Sequence, residues 1–497
     1  MFRVSPGSTT RSQQESDRRD LGGAPPTTTS CEDPEAAPGS ANYRTVALII
    51  ACAMFMEAFD ATVLATALPT MALEFHRPAP QMGIALTAYL LALAMLIPAS
   101  GAAADRFGAL RVFRAAIALF VLGSLACGLA SNLAAFAVAR FVQGIGGAMM
   151  MPVGRLVLLR SVAKRDMVSA MSWLLVPAHI GPMVGPPIGG AITAYLGWRW
   201  IFWLNVPIGL LGIMLAGRFL ADVREPWAGR FDLVGFVLSA TSLGCLLVGF
   251  EATSWPGAVR FAAALIAIGA ASGALYLRHA AGRVIPILDP SLLGVPTFRL
   301  SMIGGSLTRI TSGAQPFLQP LLMQVAFGMS AVGSGLMTLA TAIGFFVMKG
   351  VSASLLRRLG YRHGLVLMGL LSSSTYAVCG LFRPGWPLPV MFAVMLVSGF
   401  LMSFQFTAYN TIAYDEIDSA RMSAATSFYS TFQQLALSFG VCTASTALHI
   451  SMVLSGHVVP AFGDFAAAFW TITAISATAL FANLRFDRDA GAELAGR

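Results

Sequence analysis

Fourteen apolar runs, each about as long as a lipid bilayer's hydrocarbon core is thick, dictate what this chain can become. They cover residues 45–68, 82–103, 112–131, 134–158, 168–194, 200–221, 233–251, 259–279, 300–325, 333–350, 363–382, 388–412, 425–449 and 466–485. A membrane-spanning helix takes about 20 predominantly apolar residues. Inside lipid, a run of that length satisfies its own backbone groups as a helix. The expectation is therefore an all-α polytopic membrane protein with fourteen transmembrane helices. Charged residues make up only 11% of the chain, against about 25% for a soluble domain.

An even number of spans puts both termini on one side. The loops on that side carry Arg106, Arg111, Arg114, Arg160, Lys164, Arg165, Arg218, Arg224, Arg230, Arg278, Arg283, Arg299, Lys349, Arg357, Arg358, Arg362 and Arg421. The opposite loops carry only Arg77, Arg199, Arg260 and Arg383. Positive charge collects on the cytoplasmic side, so both termini are expected there. The net charge of +9 sits in short loops and forms no basic face, so no nucleic-acid partner is expected. The six cysteines are far apart and without metal-ligand spacing, which predicts neither a disulfide framework nor a metal site. Residues 1–44 are rich in Ser, Thr, Pro and Gly and read as a disordered cytoplasmic tail; no signal peptide precedes the first span.

A weak internal repeat organises the rest. GAAADRFGALRVF, Gly101 to Phe113, aligns with ASLLRRLGYRHGL, Ala353 to Leu365, so that Gly108 meets Gly360. Each segment follows the second helix of a six-helix set once the seventh and eighth runs are set aside as an insertion. The predicted organisation is a six-helix bundle over 45–221, a linker with two extra transmembrane helices over 222–299, a second six-helix bundle over 300–485 and a short tail over 486–497. Two repeated bundles around a central cavity is a transporter plan.

Charges placed inside apolar runs point to chemistry. Glu57 and Asp60 lie in the first run, three residues apart and on one helix face. A carboxylate in mid-bilayer costs about 2.5–3.5 kcal/mol on insertion scales, so it is a functional candidate by default. Two nearby acids in a low dielectric do not both ionise easily, which makes the pair a workable proton carrier. The plainer alternative is one structural acid paired with an arginine. Arg140, about two turns inside the fourth run, needs such a partner, because a lone buried charge is expensive. Arg155, nearer the end of that run, can snorkel and receives no role. Gly181, Gly185 and Gly189 recur every four residues and line one face of the fifth helix as a smooth groove, while Pro182, Pro186 and Pro187 bend it. Gly190 closes the motif. His179, just before it, reads as a hydrogen-bonded structural residue. Arg309, Gln315, Gln319, Gln405, Tyr409 and Asn410, with Gln143, are polar candidates for a substrate cavity. Arg309 facing the cavity would attract an anion; at the interface it would only snorkel. No phosphate-binding P-loop occurs, so the proton gradient rather than ATP is the expected drive. No nucleophile-plus-base constellation occurs either. An enzyme is not expected, and no cofactor is.

These motifs together resemble the major facilitator superfamily, and within it the fourteen-span drug:proton antiporter family; the look is closest to its multidrug-resistance subset. GPMVGPPIGG, Gly181 to Gly190, resembles the antiporter motif of the fifth helix. Asp60-Ala61-Thr62 through Ala67-Leu68-Pro69 resembles the first-helix motif, in which an aspartate is regular. Arg140, Gln143, Gly144 and Gly146 resemble the fourth-helix motif, whose arginine is tied to proton transfer. Gly101, Asp105, Arg106, Gly108 and Arg111 resemble the signature loop that helps hold the cytoplasmic gate closed, with Ala109 and Leu110 where basic residues are usual. Gly197 to Gly209 and Phe231 to Leu238 resemble segments of the same branch. The resemblance implies two six-helix bundles plus two linker helices. It also implies a proton-coupled exporter of drugs or other small amphipathic molecules in the cell inner (plasma) membrane, working as a monomer with protons, substrate and lipid as its partners. An exporter of an anionic metabolite or metal chelate is the alternative, favoured by Arg309. A non-transporting membrane sensor on the same fold is the second.

Overall fold

The computed structural model describes residues 43–162, 166–220, 231–253, 255, 257–283, 286–418 and 421–495. Residues 1–42 of the expected tail lie outside these, as do Lys164, Arg165, Arg224, Arg230 and the side chain of His179. Among the described residues there is no strand. The long elements are α1 (Tyr43–Val63), α2 (Ile84–Phe107), α3 (Ala109–Leu129), α4 (Leu133–Ser161), α5 (Met167–Tyr195), α6 (Asn205–Phe219), α7 (Leu233–Ala252), α8 (Val259–Ala281), α9 (Pro296–Leu321), α10 (Ala331–Leu359), α11 (Tyr361–Cys379), α12 (Leu388–Ile412), α13 (Met422–Ser455) and α14 (Phe462–Ala477).

Eleven helical stretches are long and apolar enough to cross a membrane by length and composition. The other three expected runs are α5, α9 and α11, helices of 29, 26 and 19 residues. Arg299, Arg309, Gln315 and Gln319 make α9 more polar, and Arg362 and His363 open α11. Several starts are capped by side chains: Asn132 Oδ1 accepts from Ala135 N–H at 2.9 Å, Asp232 Oδ1 from Gly235 N–H at 3.0 Å and Ser330 Oγ from Gly333 N–H at 3.1 Å. Such caps satisfy amides that the first turn leaves without partners. The prolines at 177, 182, 186 and 187 interrupt hydrogen bonds in α5 without ending the helix.

The repeat has a backbone counterpart. Gly108 joins α2 to α3 with φ 92°, and Gly360 joins α10 to α11 with φ 72°. Only glycine takes that conformation cheaply, and here it reverses the chain between two helices with no loop.

Packing is tight within α1–α6 and within α9–α14; across them α2 meets α13 and α5 meets α10. The linker pair α7–α8 packs on itself and leans on α2 and α13. The largest apolar cluster that spans the halves lies at one end, and two small ones join α2, α7 and α13 nearer the middle of those helices. At the end away from the termini a single cluster joins Val63, Leu68, Phe136 and Trp198 to Phe317, Leu321, Met391 and Phe469. At the end near the termini the first half has its own cluster around Ile50, Phe113 and Val153, and the second half has separate ones around Leu356 and Phe298. The apolar clusters of the two halves merge at the far end and stay separate at the near end. Two polar ties reinforce the closed end: Ser445 Oγ donates to Pro80 O at 2.7 Å, and Gln324 Nε2 to Thr66 O at 2.9 Å.

Candidate functional site

The centre of the first half is a buried polar cluster built from four helices. Asp60 on α1 and Arg140 on α4 are each 1% exposed. An Arg140 terminal nitrogen donates to Asp60 Oδ2 at 2.6 Å and to Gln143 Oε1 at 2.6 Å. Asp60 Oδ1 accepts from Gln143 Nε2 and from Asn205 Nδ2, both at 2.9 Å. Ser124 Oγ on α3 accepts from Gln143 at 2.7 Å and from Asn205 at 3.2 Å, tying both amides in place. Arg140 Nε reaches back to Ala85 O on α2 at 3.1 Å, and its guanidinium lies over the Tyr89 ring, 4.6 Å from the centroid.

Three donors occupy three of the roughly four lone-pair sites of this carboxylate, so a proton arriving there competes with partners already in place. The donors sit on α4 and α6, and Arg140 is also held by α2, which packs against the other half. A shift of α2 or α4 therefore changes the acid's partners. The arrangement can couple proton uptake to helix movement.

The residues expected to carry function separate into several places. Glu57 does not enter the Asp60 cluster. It is buried one turn away, with Oε2 lacking a hydrogen-bond partner among the described residues, and Arg155 is the cation in its electrostatic reach. Gln143, expected in a substrate cavity, is fully buried as a clamp on Asp60 and Arg140. Asn205 and Ser124 were not singled out from the sequence. Asn205 left one signal, a lone amide inside the apolar stretch Trp200 to Gly209. Its position is fixed by packing before α6, where the rings of Phe75, Phe136, Trp198 and Phe202 meet edge to face or tilted. Glu74 anchors that corner by accepting from Trp198 Nε1 at 2.6 Å and from Arg199. Burial pushes its carboxyl upward, but these two donors and the Arg199 charge outweigh that and hold it below the usual range.

In the second half Arg309 is 3% exposed and has no carboxylate within salt-bridge reach among the described residues. It donates to Asn410 Oδ1 at 2.7 Å and to Tyr429 Oη at 3.0 Å, and its guanidinium lies about equally close to the Phe406 and Tyr429 rings, 5.0 and 4.9 Å from the centroids. So it is not an interfacial snorkelling residue. Arg155, exposed on α4, and Arg309 are both electrostatic neighbours of Tyr414, so the two halves each direct an arginine toward one region. Tyr409 donates to Asn483 at 2.5 Å, and Gln405 accepts from Thr308 at 3.4 Å. Gln315 and Gln319 face Thr341 on α10, each at 3.4 Å.

In the α2–α3 turn, Asp105 accepts from Arg160 at 3.0 Å, a tie inside the first half. Arg106 is exposed and stacks on its neighbour Phe107, and among the described residues it pairs with no group across the near end. Gly101 is open on all sides, and Arg111 lines a groove on the outside of the half with Phe107 and Met149. The glycine groove of α5 is filled by α1. A Cβ at Gly181 would lie 3.1 Å from Phe59 N, one at Gly185 would collide with Thr62, and one at Gly189 would lie 2.5 Å from Val63 O. Gly190 faces the other half, against the Ala331 carbonyl, and Gly335 of α10 returns the contact against Pro186.

Comparison with known proteins agrees with this architecture. The sequence pattern of the Major Facilitator Superfamily matches residues 50–441. The chain is 36% identical over 419 residues to the "Putative multidrug resistance protein MdtD" of Salmonella typhimurium, covering 82% of this chain and 87% of that one. It is 34% identical over 411 residues to the "Probable transport protein HsrA" of Haemophilus influenzae, covering 82% and 88%. Among solved structures, a D-xylose–proton symporter superposes with a TM-score of 0.64 at 14% identity over 90% of this chain and 98% of that one. A POT family peptide transporter gives 0.65 at 14% over 89% and 97%. From its helix count and packing to its relatives, this chain is a multi-pass membrane protein that belongs to the Major Facilitator Superfamily.

Proposed function

We propose that the chain is a proton-coupled exporter of drugs or other small amphipathic molecules. It sits in the cell inner membrane with both termini cytoplasmic and works as a monomer. Fourteen spans are assigned, six in each bundle (45–221 and 300–485) and two in the linker (222–299), with tails at 1–44 and 486–497. The observation that carries this reading is the buried Asp60–Arg140 pair with its amide clamp, because a charge pair inside a lipid-embedded bundle is costly to bury and is by default a functional site. Asp60 is the proton carrier, Arg140 sets when it releases, and Glu57 is an auxiliary acid facing Arg155. The multidrug-resistance name of the Salmonella relative supports drugs as substrates.

The test is flux in proteoliposomes under an imposed pH gradient, with a cationic dye as substrate. Wild type is expected to move dye and protons in opposite directions, and Asp60→Asn to lose the coupling. Wild-type-like coupled efflux in Asp60→Asn overturns the assignment. A second reading is favoured by Arg309, a buried cation with no acid partner among the described residues, with Arg155 as the other cation near Tyr414: the substrate carries a negative group. Arg309→Ala separates the two, since anion efflux is lost in one reading and cationic dye efflux is unaffected.

A further inference from the structure

Near the turn from α2 to α3, the outside of the first half carries a groove of about 400 Å³. α2 and α3 both pack on α4, and the groove lies between them. Its walls are apolar: Ala103 and Phe107 on α2, Ala115 and Leu119 on α3, and Met149 on α4. The alanines make the hollow, because their side chains stop at one carbon. Arg111, exposed in the first turn of α3, is the only charged residue lining it among the described residues. Phe107 is 58% exposed, and Arg106 stacks on its ring 5.4 Å from the centroid, so a second guanidinium stands beside the mouth. The acid of this turn, Asp105, is held by Arg160 at 3.0 Å. Arg114 lies against α6 instead, since a Cβ at Gly217 would be 3.0 Å from its Cζ. From Arg111 to Leu119 the groove follows α3 for about 12 Å, reckoned from the rise of a helix.

Depth and charge select the occupant. Arg111 stands one residue before the apolar run at 112–131, where a bilayer changes from headgroups to chains. Deeper in, the groove offers only hydrocarbon. The ligand it suits therefore has a negative head and an apolar chain. A guanidinium holds a phosphate through two parallel charge-assisted hydrogen bonds, and it has enough N–H donors to keep a partner in the protein as well. Basic pockets between transmembrane helices on the cytoplasmic side are where anionic headgroups settle, because that leaflet holds the negative lipids. We propose that the groove binds one anionic phospholipid, with its phosphate on Arg111, Arg106 beside it, and one acyl chain laid along α3 over Ala115 toward Leu119. A zwitterionic phospholipid fills the apolar part equally well but brings its own cation to two guanidiniums, so it is the weaker occupant. The inference does not depend on export, because it concerns equilibrium binding of lipid.

The experiment is native mass spectrometry of the full-length protein, released from detergent micelles after titration with phosphatidylglycerol, phosphatidylcholine or phosphatidylethanolamine of the same acyl chains, and with oleate. Wild type is expected to take its first phosphatidylglycerol at least about fivefold more tightly than its first phosphatidylcholine or phosphatidylethanolamine. Arg111→Gln is expected to lose that preference, and Arg111→Lys to keep most of it. Arg114→Gln removes the same charge from a side chain that lies against α6, and is expected to leave the preference intact. Ala115→Trp, at an exposed position, fills the groove and is expected to remove the first tight adduct with Arg111 still in place. Equal first affinities for the three phospholipids in wild type overturn the proposal. So does Arg114→Gln lowering the preference as much as Arg111→Gln, which would make the attraction a diffuse field. Oleate binding as tightly as phosphatidylglycerol overturns it too, because the ligand would then be a fatty acid.

Discussion

Asp60 and Arg140 show how little freedom a charge has inside a membrane bundle. Each is tolerable because of the other, and removing one leaves an uncompensated buried charge, which costs about 3–5 kcal/mol. Arg140→Ala is therefore expected to lower thermal stability in detergent by that amount, while the Asp60→Asn/Arg140→Ala double variant recovers most of it without recovering transport. A double variant as unstable as the sum of the singles would mean the pair is not coupled. The need for a partner is legible in the sequence, because both charges interrupt apolar runs. The amide clamp is not, because small polar residues are common in membrane helices and only the fold brings Asn205 and Ser124 to Asp60. Removing Asn205 takes one donor from the carboxylate, and a hydrogen bond to a charged group contributes about 1.5–3 kcal/mol. Asn205→Ala is expected to show a partial loss of coupled flux in proteoliposomes, intermediate between wild type and Asp60→Asn. Flux equal to wild type would reduce Asn205 to a bystander.

The glycine-rich helix carries the same lesson at the scale of an element. Glycines spaced by four announce a close helix approach, but the spacing cannot say which helix arrives. Here it is α1, the helix that bears Glu57 and Asp60, and Thr62 lies directly against Gly185. The groove therefore fixes the rotation of the acid-bearing helix, while Gly190 alone meets the opposite half. Overpacking a tight site costs about 1–3 kcal/mol. Gly189→Ala, whose new Cβ would press on the Val63 carbonyl, is expected to lose that much stability and to impair transport while still inserting. Gly101→Ala, with open space around it, is expected to stay within about 0.5 kcal/mol of wild type. Equal effects at the two positions, read by melting in detergent and by flux, would remove the packing argument. The two-glycine repeat was more readable: aligning Gly108 with Gly360 pairs two positive-φ turns, because that backbone conformation admits few other residues.

At the scale of the whole molecule, length and hydropathy predict the helices, and the repeat predicts that they come in two related sets. The closed end is not predictable, since alternating access requires one sequence to be compatible with more than one arrangement of the same helices. In this structure the far end is sealed by one continuous apolar cluster and by the Ser445–Pro80 and Gln324–Thr66 ties, while the near-end clusters stay separate. If the sealed end must part for substrate to leave, a covalent tie there stops the cycle without touching Asp60. Gly83→Cys with Ser445→Cys places two thiols across the halves, because a Cβ at Gly83, just before α2, would lie 3.3 Å from Ser445 Cβ on α13. Mild oxidation of the double variant is expected to abolish flux in proteoliposomes, and a reductant to restore it, with each single variant insensitive to both. Full flux in the oxidised protein, with the cross-link verified by mass spectrometry, would mean that α2 and α13 stay together at this end and that the substrate leaves by a path that does not part them.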